Sequence, residues 1–400
     1  MKKLLLLGGS RYLLPVIKVA HELGLYVITC DYFPDNVAHK YSDEYINVSI
    51  IDKEAVLKVA QEQRIDGIMS FATDPGVVTA AYVAEKMGLP SCGSYESVSI
   101  LQDKGKFREF LANNGFNVPK ARSYKKNEIA LDDVKHFNWP IIVKPVDSAG
   151  SKGVMRVDNI DNLKDAIENA LSFSHCGEFI IEDFIEKKGC SSDSDSFSID
   201  GKLVAVTFSS QRFDSKADNP YAPMAYSWPS TFSVEHEEEL KSEIQRLLTL
   251  LEMKSSIYNI ETREGIDGKA YIMEVSPRGG GNRLAEMIRY ASRVDMIKAA
   301  VKAAMGMSID SITQPVYEGC WAEYVLHSEK AGKFKELWLD SEFRKNNVVE
   351  IDLWVDKGDT VHPFTSASFA IGTVVMKFAS QEEVEIKLNN MIKYIKVILE

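Results

Sequence analysis

The segment IYNIETREGIDGKAYIMEVSPRGGG, residues 257–281, decides the fold of this chain. Two runs of alternating apolar and polar residues flank Asp267-Gly268, and an Asp-Gly pair between such runs is a strong signal for a β-hairpin. The hairpin places Glu261 and Glu274 on adjacent antiparallel strands, where the two side chains can face one another. Two neighbouring carboxylates repel each other unless a cation or a proton lies between them. The pair therefore predicts a cation site.

The residues that follow the hairpin add an anion site beside these carboxylates. The sequence SPRGGG supplies Arg278 and three glycines, which combine a guanidinium fork with exposed backbone N–H groups. Mg²⁺ binds a few carboxylates together with the oxygens of a nucleotide phosphate. The alternative interpretation is two solvated glutamates and a glycine-rich turn. The close succession of acidic pair, arginine and glycines favours a site for Mg²⁺ and phosphate.

A second segment, IIVKPVDSAGSKG at residues 141–153, has the composition of a phosphate-binding strand and loop. Lys144 ends an apolar strand, and a lysine is rarely buried unless its charge is compensated. The loop that follows contains four small, flexible candidates for phosphate binding: Ser148, Gly150, Ser151 and Gly153. Glycines in such a loop let backbone N–H groups turn towards an anion. The alternative is a strand that ends in a snorkelling lysine and a turn.

Length and composition exclude several classes of protein. A chain of 400 residues predicts about two to four domains. The net charge of −11 argues against a nucleic-acid binder and gives no support to binding at an anionic membrane. A polyanionic substrate would therefore need locally placed lysines and arginines.

Cysteine, histidine and hydropathy patterns predict a cytoplasmic protein. The five cysteines are scattered without CxxC spacing, and the seven histidines form no zinc motif. The apolar run in MKKLLLLGG is too short for a secretion signal. No stretch approaches the roughly 18 apolar residues of a membrane-spanning helix.

The first ninety residues alternate between strand and helix patterns, which predicts parallel βαβ units. Gly8-Gly9 lies at the first strand–helix turn, but the GxGxxG motif is absent. We therefore expect a Rossmann-like sheet without bound NAD. Asp74 follows a strand at the end where open α/β sheets bind ligands, and it is a candidate substrate contact.

Four further predictions concern the rest of the chain. A helix is expected at residues 102–114, and a hairpin at Asp200-Gly201. Residues 190–198, CSSDSDSFS, are interpreted as a solvated loop. Residues 209–230 are interpreted as a long connection, of a length that is usually functional or disordered. Its Arg212 and Lys216 could reach the γ-phosphate or an acidic substrate, but a surface-loop position is favoured for each. The last ninety residues predict three strands and a terminal helix that begins at Gln381.

In order and spacing, these features resemble the ATP-grasp superfamily of carboxylate–amine and carboxylate–thiol ligases. The resemblance covers roughly residues 1–310, and the remainder is similar to the C-terminal domain of biotin carboxylase or phosphoribosylaminoimidazole carboxylase. It implies a mixed α/β and α+β fold. A Rossmann-like parallel-sheet domain would occupy residues 1–95, an ATP-grasp domain of two α+β subdomains residues 96–310, and a small α+β cap domain residues 311–400.

The resemblance assigns the nucleotide contacts. Lys104, in an Asp-Lys helix start, and Lys144, in Val-Lys-Pro, would contact the ATP phosphates, and residues 147–153 would form a flexible loop over them. A strand with the pattern Glu-x-aromatic-aliphatic would contact adenine. The residues that match it are Glu182, Asp183, Phe184 and Ile185.

The resemblance also assigns the metal and catalytic residues, with two departures from the family pattern. Glu261 and Glu274 would bind the metal, and Arg278 would steady an acyl-phosphate. Ser276 stands where the family usually has asparagine, so its hydroxyl would bind Mg²⁺ directly or through a water. The usual acidic residue for the ribose is also missing, and only Asp193 and Asp195 lie in that part of the chain.

The implied activity is an ATP-dependent ligase with Mg²⁺, or Mn²⁺ in its place. ATP would convert a substrate carboxylate into an acyl-phosphate, and an amine or another nucleophile would displace phosphate, with Lys144 and Arg278 stabilising the transferred charge. The partners would be small molecules, with no nucleic acid and no membrane, and a homodimer is compatible with the resemblance. Two alternatives stay open: a non-catalytic ATP-binding regulatory or assembly protein, and an ATP-dependent carboxylase that uses bicarbonate.

Overall fold

The computed structural model describes residues 1–148, 150–214, 219–309 and 312–400. Its N-terminal part contains a parallel sheet of four strands. The strand order is β3-β2-β1-β4, as the alternating pattern predicted. Leu4 and Leu6 of the central strand enter one core cluster and Leu5 and Leu7 another, because helices cover both faces of the sheet. The elements are β1 (Lys3–Leu7), α1 (Leu14–Glu22), β2 (Tyr26–Asp31), β3 (Glu44–Asn47), α2 (Lys53–Gln63), β4 (Gly67–Ser70) and α3 (Asp74–Met87).

Two short helices lead from this sheet to the next unit. They are α4 (Tyr95–Gln102), which was not predicted, and α5 (Lys104–Asn113), which agrees with the helix predicted at residues 102–114 to within two residues. Asp103 separates them because its side chain accepts a hydrogen bond of 2.9 Å from the Lys106 backbone N–H and so caps the second helix. The cap places Lys104 at the first position of α5.

The next unit is an antiparallel sheet in the order β5-β8-β6-β7. The strand that ends with Lys144 and Pro145 pairs antiparallel with residues 155–157, with Ile141 opposite Val157. Helix α7 covers the sheet with its apolar face, in a core that includes Phe179 and Ile181. The elements are β5 (Ala121–Tyr124), α6 (Asn127–Asp133), β6 (Ile141–Pro145), β7 (Met155–Val157), α7 (Leu163–Phe173) and β8 (Phe179–Asp183).

A second antiparallel sheet, in the order β10-β9-β13-β14, contains both predicted hairpins. The segment interpreted as a solvated loop is instead β9, whose serines and aspartates are largely buried. Strand β9 pairs with β13 although most of its residues are short and polar. The prediction was wrong because it took low hydrophobicity as a sign of solvent exposure. The elements are β9 (Ser192–Ile199), β10 (Lys202–Ala205), β11 (Ser210–Phe213), β12 (Pro223–Trp228), α8 (Val234–Leu250), β13 (Ser256–Glu264), β14 (Ala270–Ser276), α9 (Leu284–Ser292) and α10 (Met296–Ala304).

The last part of the chain forms strands β15, β17 and β19 as predicted, and adds strands that the sequence did not indicate. These additions include β16, and β20 follows the helix that was predicted to be terminal, so the described chain ends on a strand. The elements are β15 (Cys320–Leu326), β16 (Gly332–Leu339), α11 (Ser341–Asn346), β17 (Val348–Leu353), β18 (Thr360–Val361), β19 (Gly372–Phe378), α12 (Gln381–Leu388) and β20 (Ile395–Leu399). Within the described residues, no helix has the length and apolar character needed to cross a bilayer.

The prediction of one long connection at residues 209–230 is wrong. Strands β11 and β12 pair antiparallel within it, and β12 then pairs with β15, so the five-stranded sheet has the order β11-β12-β15-β19-β17. Arg212 is buried on β11 and forms an ion pair with Glu385 of α12, so it is already committed within the fold. Lys216 lies outside the described residues. The predicted domain boundary at residue 310 stays a prediction, but this sheet draws strands from both sides of it.

Candidate active site

Six polar side chains lie on one face of the sheet β10-β9-β13-β14, which we call the acidic face. Strand pairing aligns them in two rows, because residues two apart along a strand point to the same side. The first row consists of Asp193, Glu261 and Glu274. The second row consists of Asp195, Asn259 and Ser276.

Glu261 and Glu274 are directly opposite each other in the register, as the hairpin predicted. Each is partly exposed, and each has a cation nearby: Arg263 lies 3.5 Å from Glu261, and Lys104 Nζ lies 3.8 Å from Glu274. No cluster of three His, Cys, Asp or Glu side chains suited to a metal occurs in the described part of the chain. The oxygen-only pair fits Mg²⁺ that completes its shell with nucleotide phosphates and water.

Asp195 is buried and Asp193 is partly buried beside this pair, and both accept hydrogen bonds within the chain, so we do not assign either of them to a ribose. Asn259 Nδ2 donates to Asp193 Oδ1 at 2.6 Å, and the Gly280 backbone N–H donates to Asp195 Oδ1 at 2.8 Å. Burial, reinforced by the charge of Glu261, raises the pKa of Asp193 to about 8. Burial raises the pKa of Asp195 to about 7. These two carboxyls therefore need a cation or a proton near neutral pH.

Arg278 joins the acidic face to the N-terminal sheet. Its guanidinium holds Asp74, at the start of α3, with Nε and Nη2 at 2.8 and 2.7 Å from the two carboxylate oxygens. Its Nη1 also donates to Asn259 Oδ1 at 2.9 Å. Although burial opposes ionisation of Asp74, Arg278 outweighs it, and the pKa of Asp74 falls below its usual value. Asp74 thus orients Arg278 and is already paired in this structure.

Ser276 belongs to the same network. Its hydroxyl donates to Asp74 Oδ1 at 2.8 Å and accepts from Gln102 Nε2 at 2.9 Å. One lone pair of the oxygen is left, so direct metal binding would compete with these two hydrogen bonds. Its assignment as a metal ligand stays a prediction.

The lysine that ends β6 is paired with a buried carboxylate on the neighbouring strand. Lys144 Nζ lies 2.8 Å from Glu182 Oε2, and Arg108 Nε of α5 lies 2.9 Å from Glu182 Oε1. Burial would raise the pKa of Glu182, but Arg108 and Lys144 overcome it and lower this pKa to about 2. Burial lowers the pKa of Lys144, and Glu182 partly offsets the effect. Lys144 is therefore compensated before any nucleotide binds, and the Glu182 side chain holds the lysine in place.

The other residues of the predicted adenine strand are also engaged. Asp183 accepts hydrogen bonds from the backbone N–H and the side-chain amide of Asn138, at 2.9 and 2.7 Å. The guanidinium of Arg156 lies 4.7 Å from the ring centre of Phe184. The Ile185 carbonyl accepts from Arg263 Nη1 at 3.1 Å. The contact with adenine stays a prediction for this segment.

The predicted phosphate loop is connected to the lysine of α5. Lys104 Nζ donates to the Ser148 carbonyl at 2.9 Å, and Ser151 Oγ donates to the Tyr221 carbonyl at 3.2 Å. Gly150, Ser151 and Gly153 all have positive φ, between 58° and 72°, which favours glycine and turns successive N–H groups into one concave surface. Ala149 lies outside the described residues.

Sequence reasoning missed two residues of this site. Arg108 carries no motif signal, because its role depends on the packing of α5 against β8. Asn259 was detectable in principle, since it lies two residues before Glu261 on the same alternating strand and so shares its face.

Residues 137–286 match the family described as the ATP-grasp domain, and residues 324–400 match the family described as the L-amino acid ligase C-terminal domain 2. The matched segment contains Glu261, Glu274, Lys144 and Arg278, so the predicted resemblance to the ATP-grasp superfamily is confirmed for this part of the chain. The predicted fold class is confirmed: a parallel N-terminal sheet followed by antiparallel sheets and helices.

Among proteins of known function, the chain is similar to the C-terminal section of the carbamoyl phosphate synthase large chain of Aquifex aeolicus. The identity is 25% over 302 residues, which cover 74% of this chain and 55% of that protein. The chain therefore spans about half the length of this relative.

Solved structures with the same fold include the L-amino acid ligase from Bacillus licheniformis. It has a TM-score of 0.83, 20% identity and coverage of 100% of this chain and 99% of the other. Another is the biotin carboxylase domain dimer of the 2-oxoglutarate carboxylase from Hydrogenobacter thermophilus, in complex with MgADP, ADP and bicarbonate. Its TM-score is 0.74 with 17% identity, and the match covers 100% of this chain and 91% of the other.

Proposed function

We propose that this protein is an ATP- and Mg²⁺-dependent ligase that activates a carboxylate as an acyl-phosphate for attack by an amine. One observation carries the proposal. Glu261 and Glu274 form a pair, Lys104 lies beside Glu274, and Arg278 follows Glu274 by four residues. Oxygen ligands for a divalent cation next to buried cations suit a nucleotide triphosphate.

The residues divide the work between binding and charge stabilisation. Glu261 and Glu274 would hold Mg²⁺, which would neutralise charge on the phosphates, and Mn²⁺ would serve in its place. Lys104 and Lys144 would bind phosphate oxygens. Arg278, held by Asp74, would stabilise the charge on the acyl-phosphate.

The reaction balances in two displacements. A carboxylate oxygen of the substrate bonds to the γ-phosphorus while the bond from that phosphorus to the ADP oxygen breaks. The amine nitrogen then bonds to the acyl carbon, phosphate leaves, and the nitrogen loses a proton. The loop at residues 147–153 would exclude water from the acyl-phosphate.

The similarity to the L-amino acid ligase fold supports amino acids as the first substrates to examine. The experiment is phosphate release from ATP with carboxylic acids and amines supplied singly and in pairs. A ligase releases phosphate only when its carboxylic acid is present. The ligated product forms only when the amine is present as well. Glu274→Gln is the inactive control. Absence of phosphate release with every acid and amine pair would support the non-catalytic alternative.

A carboxylase that uses bicarbonate is the second candidate, because one structure of this fold is a complex with MgADP, ADP and bicarbonate. Labelled bicarbonate separates the two functions: a carboxylase incorporates label into product, and the proposed ligase does not. The same neighbour is a dimer, and light scattering would test the proposal that this protein is a homodimer.

A further inference from the structure

A row of three side chains crosses the five-stranded sheet beside the acidic face. The register places Gln211 of β11 opposite Tyr226 of β12, and Tyr226 opposite Glu323 of β15. Directly opposed residues share one face of a sheet, with side chains in contact range. We call these three residues the acceptor wall. The wall adjoins the acidic face, because Tyr226 Oη lies 3.5 Å from Asp193 Oδ2.

The acceptor wall has unused hydrogen-bond acceptors. Glu323 is completely buried, yet within the described chain neither of its carboxylate oxygens has a hydrogen-bond partner. The side-chain oxygen of Gln211 and Oδ2 of the nearby Asp195 are likewise unpaired there. Buried acceptors without partners are costly and rare in folded proteins. Four such oxygens in one region indicate a ligand that donates hydrogen bonds.

A chain of hydrogen bonds runs beside the wall. Tyr12 Oη donates to Asn282 Oδ1 at 3.0 Å, and Asn282 Nδ2 donates to Tyr226 Oη at 3.0 Å. Tyr12 comes from the N-terminal unit and Asn282 follows the glycines after Arg278, so this chain of hydrogen bonds connects three parts of the molecule. Within the described residues, none of these donors is hydrogen-bonded to Glu323.

The nearest guanidinium is committed elsewhere. Arg283 Nη2 lies 2.6 Å from Glu350 Oε1, its Nε lies 3.2 Å from Glu286 Oε2, and its Nη1 donates to Thr373 at 3.2 Å. Its positive charge faces Glu323 without a hydrogen bond to it.

The charges around Arg283 do not balance. Three carboxylates, those of Glu286, Glu323 and Glu350, surround one guanidinium, so the ionised cluster carries a net charge of −2. Arg289 also faces this cluster but lies 3.7 Å from Asp295. A cationic ligand would restore the balance.

We infer that the acceptor wall binds the amino group of a substrate, with Glu323 as the counterion of its ammonium and Gln211 as a second acceptor. The inference rests on the proposed ligase function and narrows it, because it requires that at least one substrate carries an amine beside the acidic face. An ammonium offers three donors to carboxylate and amide oxygens that have no hydrogen-bond partner within the described residues.

The test uses matched pairs of small ligands that differ in one amino group: L-alanine with propionate, 4-aminobutyrate with butyrate, and putrescine with 1,4-butanediol. Affinity is measured by calorimetry in the presence of Mg²⁺ and a non-hydrolysable ATP analogue. In wild type, at least one aminated ligand is expected to bind roughly ten- to a hundredfold more tightly than its partner, the range of a charged hydrogen bond. Glu323→Gln is expected to remove that difference, and Glu323→Asp to retain part of it.

Two results overturn the inference: no aminated ligand exceeds its partner in wild type, or the preference survives in Glu323→Gln. The wild-type measurement decides alone if a variant does not fold, and nucleotide affinity reports folding. Glu336→Gln, at an exposed position on β16, is the matched control and should bind like wild type. Phosphate release that depends on a carboxylic acid tests the ligase function separately, so that function stands if only the amine preference fails.

Discussion

Two buried glutamates of this protein, Glu182 and Glu323, are in opposite electrostatic situations. Glu182 lies between Arg108 and Lys144, so two cations and one carboxylate give that corner a net charge of +1. Glu323 has no hydrogen-bond partner among the described residues and belongs to a cluster whose net charge is −2 when all three of its carboxylates are ionised. The first region has an excess of positive charge suited to an anion, whereas the second has an excess of negative charge suited to a cation. The same substitution, Glu to Gln, should therefore have different consequences in the two places.

Glu182→Gln should have the largest effect on stability. It leaves the buried Lys144 and Arg108 without their shared counterion, and breaking a buried ion pair costs about 3–5 kcal/mol. Urea unfolding at pH 7 measures the loss. Glu186→Gln, which breaks the exposed pair with Arg156, should cost about 0–1 kcal/mol. A similar small loss for both variants would show that the Glu182 corner is not preassembled.

The pH dependence of the same corner has a defined sign. The pKa of Glu182 in the folded protein is about 2, below its ordinary value, so the unfolded chain binds more protons than the folded one in acid. Its stabilisation is present above about pH 4.5 and is lost as pH falls towards 2. Stability curves of wild type and Glu182→Gln should converge in that range. Parallel curves would contradict the assignment.

Glu274→Gln should reduce turnover far more than nucleotide affinity. Removing a proposed metal ligand should cost at least roughly 10–100-fold in activity, the range found even for residues that only support ligands. Lys104, Lys144 and the loop remain available to bind ATP. Steady-state rates together with calorimetric titration of ATP separate the two effects. A normal rate would remove the hairpin from the metal site.

Lys144→Ala should weaken ATP binding by roughly ten- to a hundredfold, the value of one charged hydrogen bond. The fold should survive, because Glu182 keeps its ion pair with Arg108. Lys125→Ala, at an exposed lysine paired with Glu178, is the control and should bind ATP normally. Unchanged affinity in Lys144→Ala would place the phosphates elsewhere.

Glu323→Gln should not destabilise the protein, in contrast to Glu182→Gln. Burial raises the pKa of Glu323 well above its usual range, so the folded protein binds more protons than the unfolded chain and wild type loses stability as pH rises above about 4.5. The glutamine variant does not lose this stability, because its side chain has no carboxyl group to ionise. Its free energy of unfolding at pH 8.5 should equal or exceed that of wild type, by up to about 3 kcal/mol. A clear loss of stability would reveal a partner for the carboxylate.

Ser276→Ala should have the smallest effect. The hydroxyl is hydrogen-bonded to Asp74 and Gln102. Its loss should therefore weaken the positioning of Arg278 by Asp74 and should leave metal binding unchanged. We expect less than roughly a tenfold change in rate and little change in the Mg²⁺ concentration for half-maximal activity, since one neutral hydrogen bond is worth about 1 kcal/mol. A large shift of the Mg²⁺ titration would instead place Ser276 in the metal's coordination shell.

Local patterns predicted the parts of this fold that depend on neighbouring residues. The hairpin at Asp267-Gly268, the register of Glu261 with Glu274 and the parallel sheet of the first ninety residues all follow from turn chemistry and periodicity. The helix predicted at residues 102–114 agrees with α5 to within two residues, and its start follows from the cap at Asp103.

Long-range packing determined the features that the sequence did not reveal. Short polar strands such as β9 and β11 have few apolar residues, so their burial depends on partners far along the chain. The interior position of Glu182 likewise depends on Arg108, seventy-four residues away. Nothing local distinguishes Glu323 from a solvated glutamate, and only the register of β12 with β15 brings it to Tyr226.

The contribution of β11 and β12 to the five-stranded sheet has a consequence for the engineering of this protein. A fragment cut at residue 310 would separate β15 from β12, its hydrogen-bonded neighbour, and would expose an unpaired edge on both pieces. Such halves should aggregate or recombine rather than fold as independent modules. Exchanging the C-terminal part with that of a relative would therefore require exchanging residues 210–228 as well. A change of substrate preference by domain exchange would need both segments to be replaced together.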